Sequence, residues 1–582
     1  MGAPEKVLFM ESSYFRILML FFTGLLWCFG CQKTVTPESE EVTVRMEPEQ
    51  VLSGPFFGDL EEAANDGIND AYDWETAESA EVINPLSNEE GEGKSEIVAG
   101  GGNGFGAQFI AEGVKLTPLT DDGKSSAAAW AYHGDKIAFV RRMAGGTQIQ
   151  MFIMNADGTE EEAVTPIGYP FFAEWSWKGD KLAYMFSNSW EGESQGSIHI
   201  YDVSTKKTRS VSAPYPKRSF DPTDGPYWSA DDRYVAYKIR PGAGRKSQLW
   251  VADTISGRYN QILTDRGHVG LQRWSSSLPN RISLMTQASG DRFDAVTIGP
   301  AGRKLTLLTD IGAESISVTG PLWSPTEDWI AFLSDIDMTQ SERKARRKDC
   351  WIVRPDGSEA RNLTNATSPA TEDQLSMSSV KWSWDGRWLL APGTRYENQG
   401  YPIPTYYLVD PVNGGYEPII TFHPRETGEI DQFQSSKWSY DSTKIVFLGK
   451  RRTVRNWGPR PRYERSRSVL KLLDVRTRKV EDLLVFDEEL DRKEIQGSSA
   501  RAFISDISWS PDNRSILLTI ATIVSRSDRI FQPDVYRLDL PDRFVDPNAP
   551  LYNGPPMGRS ETVTQPIVEP TETQEETITI EP

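Results

Sequence analysis

Metal-binding and nucleophilic chemistry in a protein draws first on histidines, cysteines and paired carboxylates, and this 582-residue chain uses few of the first two. It has four histidines and three cysteines. His133 stands where an acidic turn residue recurs elsewhere, and His199 lies in an apolar strand pattern. His268 (R-G-H-V-G) and His423 (F-H-P-R-E) are too far apart in the chain to share a local metal motif. No G-x-S-x-G nucleophile elbow occurs. The acidic turns Asn155–Glu162 and Asp335–Asp337 lack calcium-loop spacing and read as hairpin turns. Cys350 sits in the apolar run C-W-I-V, where a small buried thiol is the simplest reading. Neither a cofactor nor a metal is expected.

Basic residues are concentrated more sharply. Lys450–Arg467 reads K-R-R-T-V-R-N-W-G-P-R-P-R-Y-E-R-S-R, with eight basic residues against one acidic. Lys450, Arg451, Arg452, Arg455, Arg460 and Arg462 are its candidate binding residues. Arg343, Lys344, Arg346 and Arg347 form a second basic stretch, and Arg240 and Arg245 a third. If all three are loops on one face, they make a positive arc suited to an anionic partner, such as an acidic protein segment, a cell-wall polymer or lipid phosphate. Alternatively, they are solvated surface loops or neutralise the chain's own acidic tails.

What positions these stretches is a repeat. Trp130, Trp175, Trp228, Trp274, Trp323, Trp382, Trp438 and Trp509 each open a variant of W-S-x-D/G followed by an apolar strand, as in W-S-P-D-N-R-S-I-L-L-T-I from Trp509. A self-similar unit recurring every 45 to 71 residues marks an array of supersecondary units. Each unit has a strand up to the tryptophan, a turn, a second strand, a loop, a third strand such as Ile198–Asp202, a D-G-type turn and a fourth strand ending in L-T. Four short strands per unit specify a propeller blade, with the tryptophan as an anchor between blades. The fold class is therefore all-β: an eight-bladed β-propeller of four-stranded antiparallel blades. A seven-bladed ring with a degenerate Trp274 unit is the alternative. The last unit lacks its L-T strand, and Val114–Asp121 (V-K-L-T-P-L-T-D) matches Leu305–Asp310. An N-terminal strand is thus predicted to close the ring, leaving no free sheet edge.

W-S-P-D, I-Y-V-x-D and L-T together resemble the WD-like (PD40-type) repeats of TolB-like propellers and of the propeller domains of dipeptidyl-peptidase relatives. The resemblance covers about residues 109–545. It implies a propeller and no particular function, because this architecture hosts many. The α/β domain that precedes the TolB propeller and the hydrolase domain of the peptidase relatives have no counterpart in the sequence pattern.

The remaining segments divide the chain. Residues 1–31 read as a signal peptide, with an apolar run from Ile17 to Phe29 and an ending that resembles a bacterial lipobox. Cys31 is the candidate lipidation site, with plain secretion as the alternative. Residues 32–107 carry 18 acidic against 3 basic residues and read as a disordered tether. Residues 108–553 are the propeller and 554–582 a disordered acidic tail. The formal charge of −20 therefore belongs to the two tails, which makes nucleic acid an improbable partner. The expected localisation is the bacterial cell envelope, on the periplasmic face or outer membrane, with attachment to the membrane through a lipid.

The sequence favours a monomeric, non-catalytic ring that scaffolds an envelope protein or an anionic cell-wall polymer. Its alternative is an enzyme, a polysaccharide lyase or hydrolase, working in the axial pocket of the propeller.

Overall fold

The computed structural model describes residues 97–98 and 107–546, apart from 144–147, 189–194, 217–225, 240–247, 264–268, 278, 290–291, 310–317, 336–347, 365–373, 397–401, 422–428, 457–461, 488–500 and 526–529. Its sheets are eight antiparallel fans, one per tryptophan repeat. Blade 1 runs from Ser125–Trp130 through Lys136–Arg142 and Ile149–Asn155 to Glu162–Ala163. The Trp274 unit is a full blade 4, with strands Val269–Trp274, Ile282–Ser289, Arg292–Ile298 and Thr306–Leu307. That removes the seven-bladed alternative.

The repeated residues explain the repeated geometry. In blades 2, 3, 6, 7 and 8 the serine after the anchor closes the first turn by accepting the N–H five residues on, as Ser229 does from Tyr234 at 2.9 Å and Ser510 from Ser515 at 2.8 Å. In blades 3, 6, 7 and 8 its own hydroxyl donates to the carboxylate two residues on, as in Ser229–Asp231 at 2.6 Å and Ser383–Asp385 at 2.7 Å. The fourth residue after several anchors has positive φ, which glycine takes without strain at Gly134, Gly179 and Gly386. Asp232 and Asn513 adopt the same conformation at φ 57° and 59°. There the side chain reaches the neighbouring blade: Asp232 accepts from the Trp177 and Lys178 amides, and Asn513 from the Tyr440 amide.

Each anchor serves the join between blades. Seven of the eight keep 8% or less of their surface exposed, and Trp382 is partly buried. The indole of Trp228 donates to the Glu174 carbonyl at 3.0 Å, and that of Trp274 to the Tyr227 carbonyl at 2.9 Å. Trp175, Trp382 and Trp509 repeat the bond to Ala129, Leu322 and Lys437. In all five cases the acceptor directly precedes the anchor of the previous blade. Removing such a side chain costs about 3–5 kcal/mol.

The L-T ending also has a mechanism. In blade 5 the Thr364 hydroxyl accepts the Cys350 amide at 3.1 Å and donates to Asp349 at 2.8 Å, while Leu363 is buried. Thr309 makes the same pair of bonds to Ala295 and Asp294 in blade 4. In blade 8 the threonine is Thr120, which accepts from Val535 and donates to Asp534, both at 2.9 Å. Lys115–Pro118 pairs with the third strand of blade 8 from Asp539 to Tyr536. The predicted closing strand is in place.

Closure is also visible in the core. Eight hydrophobic clusters occupy the eight joins between blades. One of them unites Ala128, Trp130 and Phe139 of blade 1 with Leu517 and Val535 of blade 8 and with Leu119. The N-terminal segment does more than supply one strand. Ala107–Ile110 pairs along the outer strand of blade 7, and Ile97–Val98 pairs with Lys115–Leu116 at the edge of blade 8. Strands therefore begin within the stretch that its composition marks as a tether.

Candidate functional site

At five joins the first strands of neighbouring blades meet one another directly, as the inner strands of a closed ring do, which places them nearest the axis. The turn that follows each first strand carries, two residues past the anchor, either an aromatic or a small residue. Tyr132, Trp177, Trp384 and Tyr440 occupy it in blades 1, 2, 6 and 7, and Ala230, Ser276, Pro325 and Pro511 in blades 3, 4, 5 and 8. The four rings meet in a cycle. Tyr132 stacks on Trp177 at 4.7 Å between centroids, Trp384 packs on Tyr440 at 5.0 Å, and edge contacts of 6.2 and 6.4 Å join the two pairs. Blades 2 and 6 are opposite one another in a ring of eight, so the Trp177–Trp384 contact spans the axis.

Charged side chains stand beside this aromatic floor. Glu174, on the first strand of blade 2, is 3.2 Å from Arg273 on that of blade 4, and the guanidinium lies over the Tyr227 ring of blade 3. The pair therefore runs along the inner wall across an intervening blade. Burial pushes the Tyr132 hydroxyl well up, with Tyr440 and Glu174 adding to the effect and Arg273 opposing it. On the other side, Lys381 donates to the Ser436 carbonyl at 2.9 Å. Asp506, on the first strand of blade 8, accepts from Ser505 at 2.9 Å. Burial pushes its carboxyl up, against the Ser505 and Thr519 donors and the field of Lys437. A carboxyl whose pKa burial raises and a carboxylate paired with arginine are thus held on inner strands of blades 8 and 2.

The residues that the sequence singles out lie elsewhere. His199 is partly buried, stacks on Tyr184 at 5.6 Å and bonds to Ser197 at 2.7 Å, with burial lowering its pKa. This is the surrounding of a packing residue. His133 is exposed at the turn of blade 1, and His268, His423 and Cys31 lie outside the described residues. Cys350 is fully buried, and burial pushes its thiol far up. Among the described residues no three His, Cys, Asp or Glu side chains gather as a metal site would need.

Lys450–Arg467 is largely strand, not loop, because Lys444–Asn456 and Arg462–Asp474 form a long hairpin in blade 7. Arg451 does not project as a docking cation. It contacts Asp431 at 2.8 Å and Asp482 at 3.0 Å, and both carboxylates also hold Lys471. Arg467 contacts Glu429 at 2.9 Å. Three acidic and three basic side chains thus neutralise one another on the side of the blade facing blade 6. Lys450, Arg452 and Arg455 lie on the second strand of this blade, and Arg462 opens the third. Arg460, Arg343, Lys344, Arg346, Arg347, Arg240 and Arg245 lie outside the described residues.

No protein-family model matches the chain, and no curated protein does. Its fold is similar to those of several solved structures. An oligogalacturonate lyase in complex with manganese shares 15% identity at a TM-score of 0.40, over 78% of this chain and 99% of that one. Oligogalacturonate lyase from Vibrio parahaemolyticus shares 14% at 0.42, with the same coverage. The β-propeller domain of the Trilobed protease from Pyrococcus furiosus shares 13% at 0.37, over 66% and 99%. These neighbours are β-propeller proteins, so the resemblance drawn from the repeats holds at the level of the propeller; no model assigns the TolB-like family. The likeness is one of fold, and no substrate passes across it. The expectation that the chain is not an enzyme is withdrawn, since chains of this fold include ones named as lyases.

The floor and its charged wall escape a search for motifs. Their one sequence signal is positional: aromatics recur two residues after the anchor in four units of eight.

Proposed function

We propose that the chain is an axial-channel enzyme that cleaves glycosidic bonds in an acidic saccharide. The observation that carries this reading is the Glu174–Arg273 pair on the inner wall, beside four aromatic rings that meet across the axis. Aromatic faces suit the C–H faces of sugar rings, and Arg273, Lys381 and Lys437 suit their carboxylates. Asp506 is suited to hand a proton to the departing glycosidic oxygen.

Two balanced reactions fit. In elimination, a carboxylate takes the proton next to the sugar carboxyl group, a C=C bond forms, the glycosidic C–O bond breaks, and the leaving oxygen takes a proton from Asp506. In hydrolysis, water adds at the anomeric carbon, its proton passes to a carboxylate, and the leaving oxygen takes a proton from Asp506.

The test is to incubate the purified protein with acidic and neutral polysaccharides and oligosaccharides, with and without divalent cations. Ultraviolet absorbance of an unsaturated product marks elimination, and new reducing ends without it mark hydrolysis. Arg273→Met is expected to raise KM for the acidic substrate about tenfold or more. Failure to cleave any acidic saccharide under all conditions would reject the reading.

A further inference from the structure

The axial channel has a floor, and the position of the charged groups relative to it decides which part of a polymer they can meet. Glu174 is three residues before Trp177 on the same strand and turn, and Lys437 is three residues before Tyr440. Tyr132, itself part of the floor, has its hydroxyl in the fields of Glu174 and Arg273. The charged pair is therefore at the level of the floor. Trp177 and Trp384, from opposite blades, touch across the axis at 6.4 Å, and the Tyr132–Tyr440 contact at 6.2 Å fills the side toward blade 8.

We infer that the protein acts on chain ends: a saccharide reaches Glu174 and Arg273 only by inserting its terminal units into a channel that Tyr132, Trp177, Trp384 and Tyr440 make blind. This rests on the proposed glycosidic cleavage and adds the substrate form, an oligosaccharide or the end of a polymer. The terminal sugar stacks on the floor, and the bond cut lies at a fixed distance from it. Products are then of uniform length.

The floor is open to substitution without loss of the ring. The same turn position holds Ala230, Ser276, Pro325 and Pro511 in the other four blades, which shows that the blade does not need an aromatic there. Trp177→Ala with Trp384→Ala removes the contact across the axis and leaves Glu174, Arg273, Lys437 and Asp506 untouched.

The experiment follows an acidic polysaccharide that the native protein cleaves, measuring viscosity and product length together. The native protein is expected to release products of one length from the first time points, with viscosity falling late. In the doubly substituted protein product lengths are expected to spread, while a single cooperative thermal transition shows that the ring is still closed. An early collapse of viscosity with mixed lengths from the native protein would overturn the inference and leave the cleavage reading standing. Uniform products from the substituted protein would show that the floor does not impose chain-end action, and would overturn it too. No cleavage of any acidic saccharide overturns both.

Discussion

Thr120 and Asp534 hold the ring closed through one hydroxyl and one carboxyl group. Burial pushes the Asp534 carboxyl up to about 6, against donors from Thr120 and Gly123 and with Asp122 adding to the rise. The unfolded value is about 3.9, so between about pH 4 and pH 6 the folded chain keeps a proton that the unfolded chain has lost. The stability this group contributes is therefore full below about pH 4 and lost as pH rises through about 6. The size is at most about 3 kcal/mol, from two units at about 1.4 kcal/mol each. Asp534→Asn is expected to flatten that window, read as the difference in urea midpoint between about pH 4.5 and about pH 7. Equal pH slopes in parent and variant would refute it. Thr120→Val should cost about 1–3 kcal/mol, as should Thr364→Val, since both remove the same two bonds. A Thr120 variant as stable as the parent would mean that the clasp is not what fastens the ring.

At the scale of the element, the long hairpin of blade 7 and the N-terminal strands carry separate expectations. Arg451→Ala leaves Asp431 and Asp482 short of a partner between strands, which costs about 3–5 kcal/mol for a buried pair. A thermal melt should show the loss, and a variant that melts with the parent would return Arg451 to the role of a surface cation. Deleting residues 1–96 is expected to leave the melting temperature unchanged, whereas deleting 97–120 should prevent cooperative folding. The blade pattern was legible because its signals are local: Ser229 and Asp231 sit in one turn, and Leu119-Thr120 reads like Leu308-Thr309. The fate of Arg451 was not. Its carboxylates lie 20 and 31 residues away in the chain, on the first and fourth strands, and only the sheet register sets them beside it. Counting charge along one stretch of sequence misses partners supplied by neighbouring strands. The aromatic floor was hidden for a related reason, since four turns from four repeats converge only in the closed ring.

For the whole molecule, closure creates the site as well as the fold. Glu174 and Arg273 come from blades 2 and 4, and the floor from blades 1, 2, 6 and 7, so no fragment of the ring contains the site. A chain cut between blades 4 and 5 is expected to lose any saccharide cleavage even if each half keeps strand structure, and mixing the halves should restore it only if the ring re-forms. The closing strand also has a consequence in time. Lys115–Pro118 leaves the ribosome early, yet its partner strand ends at Asp539. At about 5–20 residues per second, the first strand waits about 20–80 s for the last blade to be made. Through that interval the nascent chain carries an unpaired strand at one end and an unfinished fan at the other, each able to pair with a neighbour on the same message. Slowing translation should therefore raise aggregation of this protein, and supplying residues 97–120 as a separate peptide should lower it.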